Sequence, residues 1–197
     1  CIRDSLDVAW LKTNHTLKGI IVTGCMTERY REEVLKEFPE VDAILGIGSI
    51  HDIVEAVQSV ERGERGYTSF RPKDEVELGG DRVLTTPTFW TYLKIAEGCD
   101  NRCTYCAIPY IRGKYRSRPI EKIVSEAREL ESLGAREINI IAQDITRYGA
   151  DLYGEYSLAR LLRELTAATK SVFFRLLYCY PDKITDELVA EIRDNPR

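Results

Sequence analysis

A chain of 197 residues with 44% hydrophobic and 30% charged residues has the makeup of a globular protein, enough for one large domain or two small ones. No apolar run approaches the roughly 20 residues of a membrane span, and residues 1–15 (CIRDSLDVAWLKTNH) lack the basic start and apolar stretch of a signal peptide. The formal net charge of −4 argues against a large nucleic-acid footprint, which shows as a basic excess.

In chain order, GIIVT within residues 17–25 reads as a buried strand running into a Gly-Cys turn. Residues 27–37 (TERYREEVLKE) read as a helix with Thr27 as N-cap. A short strand is expected at Ala43–Leu45. Ser49 is placed as N-cap of a helix over 50–60, in which Ile50, Ile53, Val54 and Val57 share one face. This alternation predicts a small parallel α/β domain over residues 1–61. In residues 62–88 Gly, Pro and charge accumulate and periodicity stops, as in a linker. A second domain is expected over 89–197. It opens with a strand (90–98), then a cysteine loop and a basic stretch to Pro119. An amphipathic helix over 120–133 ends at Gly134. A buried strand over 137–144 has its polar end at Gln143 and Asp144. A helix over 157–169, a strand over 171–181 and a helix over 184–194 with Thr185 as N-cap complete the pattern. The order β-α-β-α-β-α predicts a parallel sheet with right-handed crossovers, as in part of a barrel. The chain lacks an initiator Met, so it is expected to be a piece of a longer protein.

Three of the six cysteines, Cys99, Cys103 and Cys106, fall within eight residues with the spacing CxxxCxxC, directly after a strand. In parallel α/β sheets chemistry sits at the C-terminal ends of strands. Three thiolates hold three irons of a cubane cluster that normally takes four cysteines, which leaves one iron open to a small molecule. A zinc site is the alternative, but it needs a fourth ligand, and His15 and His51 lie far off in sequence without ligand spacing. A cluster-bearing electron-transfer or sensing module is a further reading. It would carry a fourth cysteine near the loop.

CxxxC-x-aromatic-C, with Tyr105 at the aromatic position, resembles the signature of the radical S-adenosylmethionine (SAM) superfamily. The wider stretch YLKIAEGCDNRCTYCAIPYIRGKYRSRP (92–119) resembles the methylthiotransferases within it. Residues 21–60 resemble part of that family's N-terminal cluster domain, and residues 92–194 the first half of its radical SAM barrel. IAQDITRYGADLYG (141–154) and RLLYCYPDKITDELV (175–189) resemble the members that modify an aspartate of a small-subunit ribosomal protein more than those that modify an adenosine of transfer RNA.

The resemblance implies a 4Fe-4S cluster on Cys99, Cys103 and Cys106. It implies SAM chelated at the open iron, reductive cleavage to methionine and a deoxyadenosyl radical, and hydrogen abstraction from the β-carbon of the aspartate. Tyr105 would pack on the SAM adenine or shield the cluster. Gln143 and Asp144 would hydrogen-bond the SAM amino group, unless they are only polar strand-end residues. A second, auxiliary 4Fe-4S cluster is implied on Cys25, with Cys1 as the candidate middle ligand and the first ligand lying before residue 1. The partners implied are the ribosomal protein and an electron donor such as flavodoxin, in the cytoplasm and away from membranes. Cys179 reads as a packed thiol, His15 and His51 as surface residues, and Arg112, Lys114, Arg116 and Arg118 as a solvated basic run, with contact to SAM or an acidic substrate the sharper alternative.

Overall fold

In the computed structural model, which describes residues 2–76, 78–80 and 83–197, the run Ala43–Leu45 is fully buried. Its side chains alternate between two apolar clusters. Ile44 packs with Ile20, Val34 and Val41, while Ala43 and Leu45 pack with Ala56. A strand covered on both faces is what a parallel sheet between helices requires. The elements around it are α1 (Ile2–Asn14), β1 (Ile21–Thr23), α2 (Cys25–Tyr30), α3 (Glu32–Glu37), β2 (Ala43–Leu45), α4 (Ile53–Glu61) and β3 (Tyr67–Ser69). The three strands form an all-parallel sheet in the order β1-β2-β3, with Ile21 opposite Ala43 and Ala43 opposite Tyr67. Together with Tyr110–Gly113 this makes one compact unit, Cys1–Val76.

A buried carboxylate braces this sheet. Asp42, 4% exposed, accepts from the Ile20 amide at 2.8 Å, from Lys12 Nζ at 2.5 Å and from Arg65 Nε at 3.0 Å. Burial pushes its carboxyl up, but Lys12, the Ile20 amide and Arg65 together hold it below the ordinary value.

Several local expectations change here. Thr27 does not cap a helix. Gly24 (φ 112°) precedes α2, and the buried Thr27 hydroxyl lies 2.6 Å from the Leu45 carbonyl oxygen. The predicted single helix breaks in two at Arg31, whose φ is 46°. Ser49 lies inside a 3-10 turn (Ile47–Asp52), and its hydroxyl accepts from the Arg71 amide at 2.8 Å. In α4 Ala56 and Ser59 are buried and Ile53 packs on the Ala43–Leu45 cluster, while Val54 and Val57, and Ile50 in the preceding 3-10 turn, are exposed. The stretch 62–88, expected to be irregular, holds β3, a short edge strand too polar to show periodicity. Residues 77, 81 and 82 of that stretch lie outside the described residues.

The second unit is formed by Glu77–Pro109 and Lys114–Arg197. Its elements are β4 (Trp90–Lys94), β5 (Ala96–Glu97), β6 (Arg116–Ser117), α6 (Ile120–Ser132), β7 (Glu137–Ile141), α7 (Leu158–Ala168), β8 (Phe173–Leu176) and α8 (Asp186–Asp194). The short α5 (Ile108–Arg112) lies between β5 and β6 in sequence. The sheet β4-β7-β8 is all parallel, in register Trp90–Glu137–Phe173. Each strand is followed by the predicted helix, which confirms the βα rhythm and the α/β class. Leu93, Ile138 and Ile140 join Ile123, Ala127, Leu161 and Leu165 in one core with α6 and α7. The other sheet face carries exposed Tyr92 and Phe173. The Thr185 cap of α8 forms as expected, its hydroxyl accepting from the Leu188 amide at 3.2 Å.

Candidate metal loop at the end of the parallel sheet

β4 leads through Ile95 into β5, which pairs antiparallel with β6, Glu97 opposite Arg116. The three clustered cysteines lie between these strands in sequence, so the pairing pins the base of their loop. Glu97, 5% exposed, is ion-paired with Lys94 and accepts from the Gly98 amide at 3.1 Å. Gly98 has φ 78°, a conformation that favours glycine, and it turns the chain from β5 into Cys99.

Cys99, Cys103 and Cys106 are half-buried free thiols. The Cys106 amide donates to the Cys103 carbonyl at 2.9 Å, a tight turn between two of them. Burial pushes the Cys99 thiol up. The Asn101 amide opposes this, while Asp144, Cys106 and Cys103 add to it. Cys99 thus feels the charge of Asp144 and of both other loop cysteines. Cys103 pushes the Tyr180 hydroxyl up.

Asp144 is 1% exposed. Its Oδ1 accepts from the Thr146 amide at 3.0 Å and from Thr146 Oγ1 at 2.5 Å, and its Oδ2 accepts from Asn101 Nδ2 at 2.9 Å. Gln143 differs: its Oε1 is buried and has no hydrogen-bond partner. Asp100 accepts from the Tyr115 amide at 3.2 Å and pairs with Arg147 at 3.3 Å. Tyr115, 3% exposed, donates its hydroxyl to the Asp144 carbonyl at 2.8 Å, and burial pushes that hydroxyl up. Tyr105 is 92% exposed, with its ring open to solvent.

The remaining candidates separate. Cys25 belongs to the first unit, at the start of α2, and its sulfur accepts from Arg112 Nη2 of the same unit at 3.3 Å. Cys1 lies outside the described residues. Cys179 is exposed rather than packed. His15 and His51 are on the surface. Arg118 is not solvated. It is 5% exposed, donates to the Lys94 carbonyl at 2.6 Å and pairs with Glu126 at 2.6 Å. Asn101, Asp100, Arg147, Tyr115 and Tyr180 were not singled out from the sequence. No spacing rule marks them, because their partners lie up to 43 residues away.

The donor set suits an iron–sulfur cluster: three free thiols on one short loop, with no disulfide among them. Among the described residues, no group of three or more His, Cys, Asp or Glu is arranged around one metal ion. A cubane does not ask for that, because each thiolate binds a different iron.

A parallel α/β unit with three thiols at the mouth of its first strand is the framework of a cluster-dependent enzyme. Residues 93–196 match the radical SAM superfamily, and the chain belongs to that superfamily. Among curated proteins it is 49% identical over 198 residues to the ribosomal protein uS12 methylthiotransferase RimO of Desulforamulus reducens, covering 99% of this chain and 44% of that protein. It is 46% identical over 187 residues to the RimO of Thermoanaerobacter sp., covering 93% and 42%. The chain thus spans less than half the length of the curated relatives it matches. In fold it is similar to the radical SAM methyltransferase TsrM from Kitasatospora setae, solved with tryptophan substrate and the SAM analog aza-SAM. The TM-score is 0.66 at 13% identity, over 96% of this chain and 42% of that one.

Proposed function

We propose that this chain carries the SAM-cleaving part of a methylthiotransferase acting on the β-carbon of an aspartate in ribosomal protein uS12. The observation that carries the reading is the set of three free, half-buried thiols of Cys99, Cys103 and Cys106 on the loop that follows β5, beyond the C-terminal end of the parallel strand β4. The near-half identity to proteins named for uS12 narrows the reaction.

In this reading Cys99, Cys103 and Cys106 hold a 4Fe-4S cluster. When bound, the cluster supplies one electron to the sulfonium of SAM. The protein's own residues place the reactants. Gln143 Oε1, buried without a donor, accepts from the SAM ammonium, which removes an unsatisfied acceptor. Tyr105 offers an exposed ring to the adenine. Asp144 engages three donors of this chain, so its contribution to SAM is indirect. Cys25, with Arg112 donating to its sulfur, and Cys1 are the candidate ligands of the auxiliary cluster. An electron donor such as flavodoxin and a cytoplasmic setting complete the reading. Among the described residues no helix is long and apolar enough to cross a membrane.

The test is anaerobic. The chain, reconstituted with iron and sulfide and reduced with dithionite, is given SAM and then SAM with uS12. Release of 5′-deoxyadenosine by wild type and not by Cys103→Ala, with gain of a methylthio group on uS12, supports the reading. Modification of an adenosine in transfer RNA instead would refute the substrate assignment. No deoxyadenosine from a cluster-loaded chain would refute the chemistry.

A further inference from the structure

Two side-chain paths lead from one buried carboxylate, one to the cysteine loop and one to the backbone at Tyr180. In the first, Asp144 Oδ2 accepts from Asn101 Nδ2 at 2.9 Å, and Asn101 lies midway between Cys99 and Cys103 in sequence. In the second, Asp144 Oδ1 accepts from Thr146 Oγ1 at 2.5 Å. That oxygen accepts from the Tyr180 amide at 3.3 Å. Asp144 is itself fixed. It caps its own turn through the Thr146 amide at 3.0 Å, directly beyond β7. A carboxylate 1% exposed is costly to bury unless its lone pairs are used, so these donors also hold its rotamer. The loop residue before Asn101 is tied to the same region, Asp100 accepting from Tyr115 and pairing with Arg147.

We propose that Asp144 is a positioning residue. Through Asn101 it sets where the loop cysteines stand relative to the end of β7, where Gln143 presents its free acceptor. A simple turn cap would need only Thr146. The bond to Asn101, 43 residues away, serves the loop. The inference rests on the reading of Cys99, Cys103 and Cys106 as cluster ligands. Chelation of SAM at the cluster and acceptance by Gln143 must be satisfied together, and shifts of about 1 Å weaken such two-point binding strongly.

Asn101→Asp places a second carboxylate against Asp144 and turns attraction into repulsion. Asn101→Ala removes the donor without adding charge. Asn101→Asp combined with Asp144→Asn restores a donor and an acceptor with their positions exchanged, and the new amide oxygen still receives the Thr146 amide. Each chain is reconstituted anaerobically. The readouts are retained iron and the SAM concentration that shifts the electron paramagnetic resonance signal of the reduced cluster. Both single variants are expected to need roughly tenfold more SAM or beyond, the effect of losing one hydrogen bond to a charged group. The double variant is expected to recover to within about twofold of wild type. Single variants that match wild type overturn the inference, as does a double variant as defective as Asn101→Asp. A wild-type chain that takes up no iron refutes the cluster reading itself, and the positioning role falls with it.

Discussion

Gln143→Met should strengthen the resting fold while weakening the proposed function. Gln143 Oε1 is buried without a partner, and such an orphaned acceptor costs about 1–3 kcal/mol. Met has similar length, fills the same space and carries no acceptor to desolvate. Part of the gain is lost because the residue is only half-buried, so the expected stabilisation of the SAM-free chain is about 1 kcal/mol. With SAM the sign reverses. A hydrogen bond from an ammonium is worth about 1.5–3 kcal/mol, so affinity should fall roughly 10- to 150-fold. The assay pairs urea unfolding of the chain without SAM with anaerobic SAM titration of the cluster-loaded chain. A variant less stable than wild type would show that Oε1 has a partner in the resting protein. Unchanged SAM affinity would remove Gln143 from the site. Either result refutes the argument from the orphaned acceptor.

Asp42→Asn should destabilise the first unit by about 2–3 kcal/mol at neutral pH. The half-buried Lys12 bond accounts for most of this and the exposed Arg65 for little. Because the folded carboxyl is held below its ordinary value, the wild-type advantage is complete above the unfolded value near pH ~4 and disappears as pH falls through the folded one. Hydrogen exchange of the β1 and β2 amides at both pH values reads the effect, and a gap unchanged in acid would contradict it. Arg118→Met should cost about 2–3 kcal/mol in urea unfolding. That is less than for a fully buried pair, because Glu126 is 15% exposed. Glu126→Leu in the same chain should return part of that loss, and no recovery would mean that the Lys94 carbonyl contact carries the effect.

Much of the second unit was legible in the sequence because its elements bury one face along their whole length. Ile123, Ala127 and Leu130 marked α6 by helical spacing, and the apolar run around Ile138 and Ile140 marked a buried strand. Ala43–Leu45 was legible for the same reason. Short elements were misjudged because local chemistry can be satisfied at a distance. The hydroxyls of Thr27 and Ser49 looked like caps, but they serve Leu45 and Arg71. Val54 and Val57 looked like core, but Ala56 and Ser59 are the buried residues of α4. The cysteine triad was legible because its ligands are neighbours in sequence. Its supports were not, since Asn101 and Asp144 meet only after two helices and two strands have been folded between them. Arg118 misled for a related reason, because a basic run looks the same in sequence whether or not one member finds a buried acid.

Iron and sulfide content after anaerobic reconstitution bears most directly on the cluster assignment. It should be measured for wild type, Cys103→Ala and Cys25→Ala, with zinc determined in parallel. About four irons per chain, lost in Cys103→Ala and kept in Cys25→Ala, is the expected result for one cubane on the loop. About eight, with half lost in each variant, would show that the auxiliary cluster assembles as well. Bound zinc without iron, or iron that survives Cys103→Ala unchanged, would contradict the cluster assignment.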